Sequence, residues 1–211
     1  DSITCIEFHF TLPLFASASD DMTAIIYDIY LSMSPPTIKY HFKHHKREIT
    51  CISFHSKLPL FTTGSWDCTV FIYDITVLPP RIKYNCADFA GFITSIAFHP
   101  SFPLLAVGSQ DRSVIFYNVS TLKPTCQCRL EHEACSVSSI AFHSQFSLFV
   151  ICFGKEIIIY NVFVSPPTLQ YVIQYNRYSR IVRFHPTLLL LGTIKLNGTL
   201  TLYNLEKQIQ T

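Results

Sequence analysis

The sequence predicts an all-β protein of five similar units with four strands each, the pattern of a β-propeller. Two short markers recur in step along the chain. Phe-His occurs at intervals of 42 to 46 residues, at Phe8-His9, Phe54-His55, Phe98-His99, Phe142-His143 and Phe184-His185. Tyr followed by Asp or Asn comes 18 or 19 residues after each of these Phe residues, at positions 27, 73, 117, 160 and 203. Two markers that keep their distance five times indicate an internal repeat.

The residues between the markers are typical of short strands separated by turns. In the second unit, a stretch in which apolar and polar residues alternate ends at Phe54, and the strand-like run Leu60-Phe61-Thr62-Thr63 follows. The turn Ser65-Trp66-Asp67-Cys68 then precedes the apolar run 70–73. Such runs, cut by turn residues, predict β-strands. A Pro-bearing connector and a further strand follow, predicted at 37–43, 81–85, 125–130 and 168–174. Four strands in about 44 residues is the size of a propeller blade, with strands a, b, c and d in chain order.

Composition excludes several classes of protein. Of the 211 residues, 49% are apolar and 14% are charged, which excludes intrinsic disorder and predicts strands buried on both faces. The apolar stretches fall short of the roughly 20 residues of a membrane helix, so no membrane partner is expected. The eight cysteines have no metal-ligand spacing, and we interpret them as reduced packing residues. Reduced cysteines predict a cytoplasmic or nuclear protein.

The repeat resembles the WD-repeat family over the whole chain. The Tyr of each Tyr-Asp or Tyr-Asn stands where that family usually has Trp. The segments Ser19-Asp20-Asp21, Ser65-Trp66-Asp67 and Ser109-Gln110-Asp111 are similar to its turn between strands b and c. The resemblance implies a single propeller domain over 1–211, with blades at about 1–43, 44–87, 88–131, 132–175 and 176–211.

The resemblance also implies a hydrogen-bonded network within each blade, made in the family by a His, the turn Asp, a Ser or Thr and the repeat Trp. Only blade two supplies both ends, His45 and Asp67, with Thr62 or Thr63 available between them and Tyr73 in place of Trp. The network is therefore expected to be complete in blade two alone.

The other blades keep single members of this network. Asp21 and Asp111 supply the turn carboxylate in blades one and three, and His132 supplies the histidine in blade four. Phe89 and Tyr175 occupy the histidine position of blades three and five. The fourth blade is expected to differ most, because its turn is one residue shorter and has no Asp.

The count of five blades leaves the closure of the ring open. WD-repeat propellers usually have seven blades, so the resemblance implies that these five are part of a larger ring, although closure at five is the alternative. At one inner-strand position the middle blades carry small residues while the end blades carry Glu7 and Arg183. These charges either form a pair that closes a five-bladed ring or reflect end blades that face something different.

No pattern in the sequence indicates catalysis. The chain has no Ser-His-Asp order, no phosphate-binding glycine loop and no carboxylate pair, and six glycines are few for nucleotide binding. The five Phe-His histidines recur at one structural position, where a strand-end role is favoured over a ring of metal ligands. We therefore predict a protein that is not an enzyme and has no cofactor, metal or small-molecule substrate.

Binding is predicted on the disc face that carries the d–a and b–c loops. The matched turn positions on this face are Asp20, Trp66, Gln110 and Leu196. Trp66 is the only Trp of the chain, and an exposed aromatic residue of this kind often contributes much of an interface's energy. The alternative is a Trp packed against the loop of the next blade.

The segment 41–47 is the one basic cluster and includes Lys43, Lys46 and Arg47 on the same face. It predicts either a solvated loop or a contact with an acidic peptide or a phosphate backbone. The function expected from the whole sequence is a non-catalytic scaffold that binds other proteins within a multi-subunit assembly. The alternative is a nucleic-acid or ribonucleoprotein-associated module that uses the 41–47 cluster.

Overall fold

The computed structural model describes residues 1–29, 35–121, 123–133, 135–163, 166–174 and 178–206. Within these ranges the chain forms strands in five antiparallel blades, which confirms the predicted all-β propeller. Four blades have four strands, and three strands of the fifth are described. Residues 207–210, where the sequence repeat would place strand d of blade five, lie outside the described residues.

Each blade is a meander in which every strand pairs with its neighbour in sequence. The strands of blades one and two are β1 (Ile3–Phe8), β2 (Leu14–Ser19), β3 (Ala24–Asp28), β4 (Thr37–Phe42), β5 (Ile49–Phe54), β6 (Leu60–Ser65), β7 (Val70–Asp74) and β8 (Arg81–Cys86). Those of blades three to five are β9 (Ile93–Phe98), β10 (Leu104–Ser109), β11 (Ser113–Asn118), β12 (Thr125–Glu131), β13 (Val137–Phe142), β14 (Leu148–Phe153), β15 (Glu156–Asn161), β16 (Thr168–Gln174), β17 (Ser179–Phe184), β18 (Leu190–Lys195) and β19 (Leu200–Asn204).

The hydrophobic core is divided among the interfaces between consecutive blades. One buried cluster joins blades one and two, and equivalent clusters join two to three, three to four and four to five. In the first of these, Ile26 of blade one packs in the same cluster as Ile52 and Phe61 of blade two. A middle blade therefore buries both of its faces, as the continuous apolar runs of the sequence predict.

The arc of blades is open between blade five and blade one. Extensive contacts join β1 to β5, β5 to β9, β9 to β13 and β13 to β17, but none of similar extent joins β17 to β1 in the described residues. Ile6 of blade one is 63% exposed, whereas its equivalent in blade two, Ile52, is 3% exposed. Leu202 on the far side of blade five is 66% exposed. Each end blade thus presents one uncovered apolar face.

Small residues on strand b allow neighbouring blades to approach closely. A Cβ added at Gly64 would lie 2.5 Å from Cγ2 of Ile93, and one at Gly108 would lie 2.5 Å from Cγ1 of Val137. Hydroxyl groups on strand a add bonds between blades, since Thr50 donates to the carbonyl of Ile93 and Ser138 donates to that of Ser179. The inner strands are therefore fixed to one another by both packing and hydrogen bonds.

The charged end residues do not form the pair that would close the ring. Within the described residues no ion pair joins Glu7 to Arg183. Both residues nevertheless line the central channel, the space around which the a strands of the five blades are arranged. The Glu7 carboxylate instead accepts hydrogen bonds from the Ser53 hydroxyl and the Phe54 N–H of blade two, at 3.3 and 3.2 Å. Burial raises the pKa of Glu7 to about 7, against the opposing effects of these two bonds and, to a smaller extent, of the Arg183 charge. Glu7 therefore connects blade one to blade two.

The recurring Phe-His histidines close the turns between strands a and b. In blade two, Nδ1 of His55 accepts hydrogen bonds from the backbone N–H groups of Lys57 and Leu58, both at 3.0 Å. Nε2 of His55 lies 3.2 Å from the Phe102 carbonyl of the next blade. His9, His99, His143 and His185 accept the same two backbone bonds in their own turns. This is the strand-end role favoured from the sequence.

The close approach at Gly108 predicts a selective loss of stability. We expect Gly108→Ala to lower the free energy of unfolding by about 1–3 kcal/mol, because the added methyl group overlaps the Val137 side chain. The control is Gly192→Ala, since a Cβ there meets its nearest atom at 3.5 Å. Urea unfolding of both variants measures the difference, and equal stability of the two would contradict this account of the interface.

Candidate functional site

The d–a and b–c loops of each blade lie side by side on one face of the disc, here called the loop face. The residue before the turn Asp or Asn donates its backbone N–H to the carbonyl of the residue immediately before strand a. These pairs are Asp20 with Ser2, Trp66 with Glu48, Gln110 with Phe92, and Leu196 with Tyr178. The four side chains Asp20, Trp66, Gln110 and Leu196 are exposed. The structure therefore places the predicted turn residues at equivalent positions of four blades.

The b–c turns are fixed by short polar side chains. In blade two the Ser65 hydroxyl accepts the Asp67 N–H, and Asp67 accepts both the N–H and the hydroxyl of Thr69. Cys68 then takes a positive φ of 65°. Blades one and three repeat the arrangement, with Met22 and Arg112 at the positive φ. Local hydrogen bonds of this kind hold a turn independently of distant contacts.

Trp66 is packed against the next blade and is also partly exposed. Its ring stacks on Phe92 of the blade three loop, with centroids 5.2 Å apart and planes at 14°. Even so, 41% of the residue remains exposed. Packing against the next blade thus fixes the orientation of Trp66 and leaves part of its surface free for a partner.

The basic cluster alternates exposed and buried side chains. Lys43, Lys46 and Arg47 are exposed, whereas His45 is buried. The Arg47 guanidinium lies 3.9 Å from the Glu48 carboxylate, a weak surface pair. The backbone of Lys46 and Arg47 is bonded to the Trp66 turn, through Asp67 and Ser65 respectively, so these two cations are carried next to it.

In blade two a continuous polar network connects the d–a loop to the b–c turn. Nδ1 of His45 lies 2.9 Å from the Asp67 carboxylate, and its Nε2 lies 2.7 Å from the Thr63 hydroxyl. Thr62, the other candidate from the sequence, donates to the Phe71 carbonyl instead. Burial alone would raise the pKa of Asp67, but bonds from His45, Thr69 and the Lys46 N–H outweigh it and hold the pKa well below its usual range.

Tyr73 occupies the position of the repeat Trp, and burial raises its pKa against the opposing effect of a bond with the Thr63 side chain of the network. Its hydroxyl lies 3.2 Å from Nδ1 of His44, the residue before His45. In blade three the equivalent Tyr117 donates to Asp88 at 2.7 Å. In both blades the Tyr hydroxyl therefore bonds to the loop residue just before the histidine position. The family pattern does not indicate this bond.

Blade three retains its turn carboxylate without a histidine. Phe89 occupies the histidine position, and Asp111 accepts the Ala90 N–H at 2.9 Å. The Arg129 guanidinium lies 3.6 Å from the Asp111 carboxylate. Sequence reasoning missed Asp88 and Arg129 because both lie outside the family's motif.

Blade four replaces its missing turn Asp with a glutamate from strand c. Nε2 of His132 lies 3.1 Å from the Glu156 carboxylate, and Nδ1 of His132 accepts the Cys135 N–H. His132 also stacks on Phe153, with ring centroids 4.4 Å apart. Glu156 lies four residues before Tyr160, the position that Thr69 has relative to Tyr73 in blade two. A carboxylate at this strand c position is the sequence signal that could have identified Glu156 as the partner of His132.

The remaining predicted network positions lie at the ends of the arc. Asp21 of blade one accepts the Thr23 N–H within its own turn. Tyr175, at the histidine position of blade five, lies outside the described residues. Among the residues described, no group of His, Cys, Asp and Glu is arranged to hold a metal ion. That same part of the chain contains no helix long and apolar enough to cross a membrane.

Comparison with known proteins identifies the repeat. The family model described as WD domain, G-beta repeat, matches residues 1–28, 36–74 and 83–118. The first three blades are repeats of the WD-repeat family. Blades four and five of this WD-repeat propeller lie outside the matched segments, in keeping with the altered turn of blade four. No curated protein matches the chain.

Solved structures show the same fold. A chain of the structure titled "Crystal Structure of Mitotic Checkpoint Complex" superimposes with a TM-score of 0.82 and 17% sequence identity. The match covers 96% of the present chain and 61% of that chain. The WD-repeat propeller described here therefore spans less than two thirds of the length of that protein.

The blade two network predicts a stability difference among histidine variants. We expect His45→Ala to lower the free energy of unfolding by about 2–4 kcal/mol, because it leaves the buried Asp67 carboxylate and Thr63 hydroxyl without their partner. His41→Ala, on the exposed side of β4, is the control and is expected to change it by less than about 0.5 kcal/mol. Similar losses in the two variants, measured by urea unfolding, would be inconsistent with a structural network at His45.

Proposed function

We propose that this WD-repeat propeller is a non-catalytic scaffold that binds other proteins of a multi-subunit assembly through its loop face, inside the cell. The observation that carries the proposal is Trp66, half exposed on the loop face and stacked on Phe92. A large aromatic side chain whose orientation is already fixed loses little conformational entropy on binding. Such residues are typical energetic centres of protein interfaces.

The surroundings of Trp66 fit this role. Lys46 and Arg47, whose backbone is bonded to the same turn, provide exposed positive charge, and Gln110 of blade three provides a polar group at the equivalent turn. An apolar centre with a polar border is the usual composition of a protein interface. The likeness to a chain of a mitotic checkpoint complex also supports the proposal, since that propeller was solved as part of a multi-protein complex.

The proposal predicts that partners are lost when Trp66 is removed. We expect Trp66→Ala to reduce the recovery of proteins in quantitative pull-downs by about tenfold or more, because it removes the aromatic centre of the interface. Phe163→Ala is the matched control, since Phe163 is 76% exposed in a c–d loop on the opposite face. Thermal unfolding of Trp66→Ala and Trp66→Phe separates loss of binding from loss of the Phe92 stack. Unchanged recovery with Trp66→Ala, or equal loss with Phe163→Ala, would contradict loop-face binding.

A nucleic-acid-binding function is the second candidate, supported by the exposed cations next to an aromatic residue. Lys43, Lys46 and Arg47 are all available to phosphates, and Trp66 presents an aromatic face on which a base stacks. The observations favour protein binding, because the cluster is small and the Arg47 guanidinium already lies near the Glu48 carboxylate.

Salt dependence and a triple variant distinguish the two candidates. We expect Lys43→Ala, Lys46→Ala and Arg47→Ala together to leave protein partners bound, because Trp66 remains in place. If the chain binds nucleic acid, its affinity for single-stranded RNA falls steeply with salt and the triple variant removes that dependence. Salt-sensitive RNA binding that disappears in the triple variant, with protein partners unaffected by Trp66→Ala, would reverse the ranking.

A further inference from the structure

A cleft opens on the loop face between blades four and five, away from Trp66. Its volume is about 320 Å³, and its walls include Ser136, Gly154, Tyr178, Ser179, Arg180 and Leu196. Tyr178, Ser179 and Arg180 are consecutive and lead into β17, while Gly154 belongs to the b–c turn of blade four. The cleft is thus formed where the loops of two blades meet.

Blade five departs from the repeat at this point. The position of Ser179 is occupied by Ile3, Ile49, Ile93 and Val137 in the other blades. The position of Arg180 is occupied there by Thr4, Thr50, Thr94 and Ser138. At the first position blade five has a hydroxyl in place of an apolar side chain, and at the second it has a guanidinium in place of a hydroxyl. Comparison with the other four blades therefore identifies these two residues as specific to blade five.

The hydroxyl of Ser179 lacks a hydrogen-bond partner. Ser179 is 2% exposed, and its Oγ is buried without a bond among the described residues. Its backbone is engaged, since its N–H donates to the Gly154 carbonyl and its carbonyl accepts from Ser138. Buried polar atoms are nearly always bonded, and Ser179 Oγ is one of three buried side-chain atoms without a bond among the described residues, together with Asp28 Oδ1 and Thr193 Oγ1. A donor is therefore unused in the wall of the cleft.

In the described residues, neither Arg180 in the cleft wall nor the nearby Lys155 is paired with a carboxylate. Within the described residues no Asp or Glu oxygen lies within 4 Å of the exposed Arg180 guanidinium or of the Lys155 ammonium. Lys155 lies 5.5 Å from the centroid of the Tyr178 ring. The nearest acid in sequence, Glu156, is already engaged by His132. The positive charge at the cleft is therefore not neutralised by a carboxylate within 4 Å.

Gly154 fixes the shape of this wall. It has a positive φ of 56°, and a Cβ at this position would lie 2.9 Å from the Tyr178 ring. The absence of a side chain lets Tyr178 pack against the turn, with Lys155 over its ring. The arrangement of cation, aromatic ring and hydroxyl is consequently set by the fold.

We propose that this cleft binds an oxyanion carried by a side chain of a partner peptide, either a carboxylate or a phosphate ester. Arg180 is the principal ligand because its planar fork donates two parallel hydrogen bonds to such a group. Lys155, which lies beside the cleft over the Tyr178 ring rather than in its wall, adds a second cation nearby. The Ser179 hydroxyl supplies a donor that has no acceptor among the described residues. The inference rests on the proposed function and specifies one chemical feature of the partner.

Degenerate peptide libraries test the site on the full chain. Each library fixes Asp, phosphoserine, Asn or Lys at its centre, and retention on immobilised protein is measured. We expect the wild-type chain to retain an Asp or phosphoserine library about tenfold over the Asn library, in line with the strength of charged hydrogen bonds. The Asp and phosphoserine arms show which oxyanion is preferred.

Three variants assign the effect to the cleft. Arg180→Gln is expected to abolish the preference for an oxyanion, and Arg81→Gln, an exposed arginine on β8, is expected to retain it. Ser179→Ala is expected to weaken the preference severalfold without lowering the unfolding temperature, because it removes an unsatisfied hydroxyl. If Ser179 had only a structural role, Ser179→Ala would not weaken the oxyanion preference while leaving the unfolding temperature unchanged.

The outcomes separate this inference from the proposed function. Absence of any preference for an oxyanion, or its persistence in Arg180→Gln, overturns the cleft proposal. If peptides are retained without such a preference and Trp66→Ala releases them, the scaffold function stands and the cleft proposal fails. If the preference is lost in Arg180→Gln while Trp66→Ala loses no partner, the cleft stands and the role of Trp66 fails.

Discussion

The structure depends on the burial of each blade between its two neighbours. A four-stranded meander with apolar residues on both faces cannot shield them alone, so the blades stack in an arc and share a hydrophobic cluster at each interface. Gly64 and Gly108 allow the close approach, and hydroxyl groups on the inner strands add bonds across it. The same requirement explains the two uncovered apolar faces, because the first and last of the five blades each lack a neighbour on one side.

The stacking also creates the surfaces on which the proposed function depends. Because every blade places its d–a and b–c loops on the same face, residues far apart in sequence become neighbours there. Trp66 meets Phe92 across one interface, and Gly154 meets Tyr178 across another. Blade interiors repeat one another, whereas the loop residues differ from blade to blade. A repeated fold thus supplies a rigid frame, and non-repeated residues supply the chemistry.

The polar networks show how a repeat tolerates the loss of its motif residues. Blade two joins Asp67, His45 and Thr63, while blade four joins His132 to Glu156 from strand c. In blade three, Asp111 bonds to a backbone N–H, and Asp88 accepts the Tyr117 hydroxyl. What the blades share is a satisfied buried polar group rather than a fixed set of residues, since an unsatisfied one is costly.

The sequence by itself determined the strands, the blades and the turns, because these follow from local patterns that repeat. The alternating apolar runs, the Tyr-Asp marker and the Ser-x-Asp turns each specify structure over a few residues, so β16 begins and ends at the predicted positions and β4 differs from its prediction by one residue. It also singled out Trp66 and the complete network of blade two. The tertiary structure alone decided which side chains meet across an interface. Three findings depend on contacts between loops or blades. They are the replacement network residues Glu156, Asp88 and Arg129, the bond of Glu7 to blade two in place of a pair with Arg183, and the cleft at Ser179 and Arg180. Such contacts are set by the distance and angle between blades, which no local sequence pattern encodes.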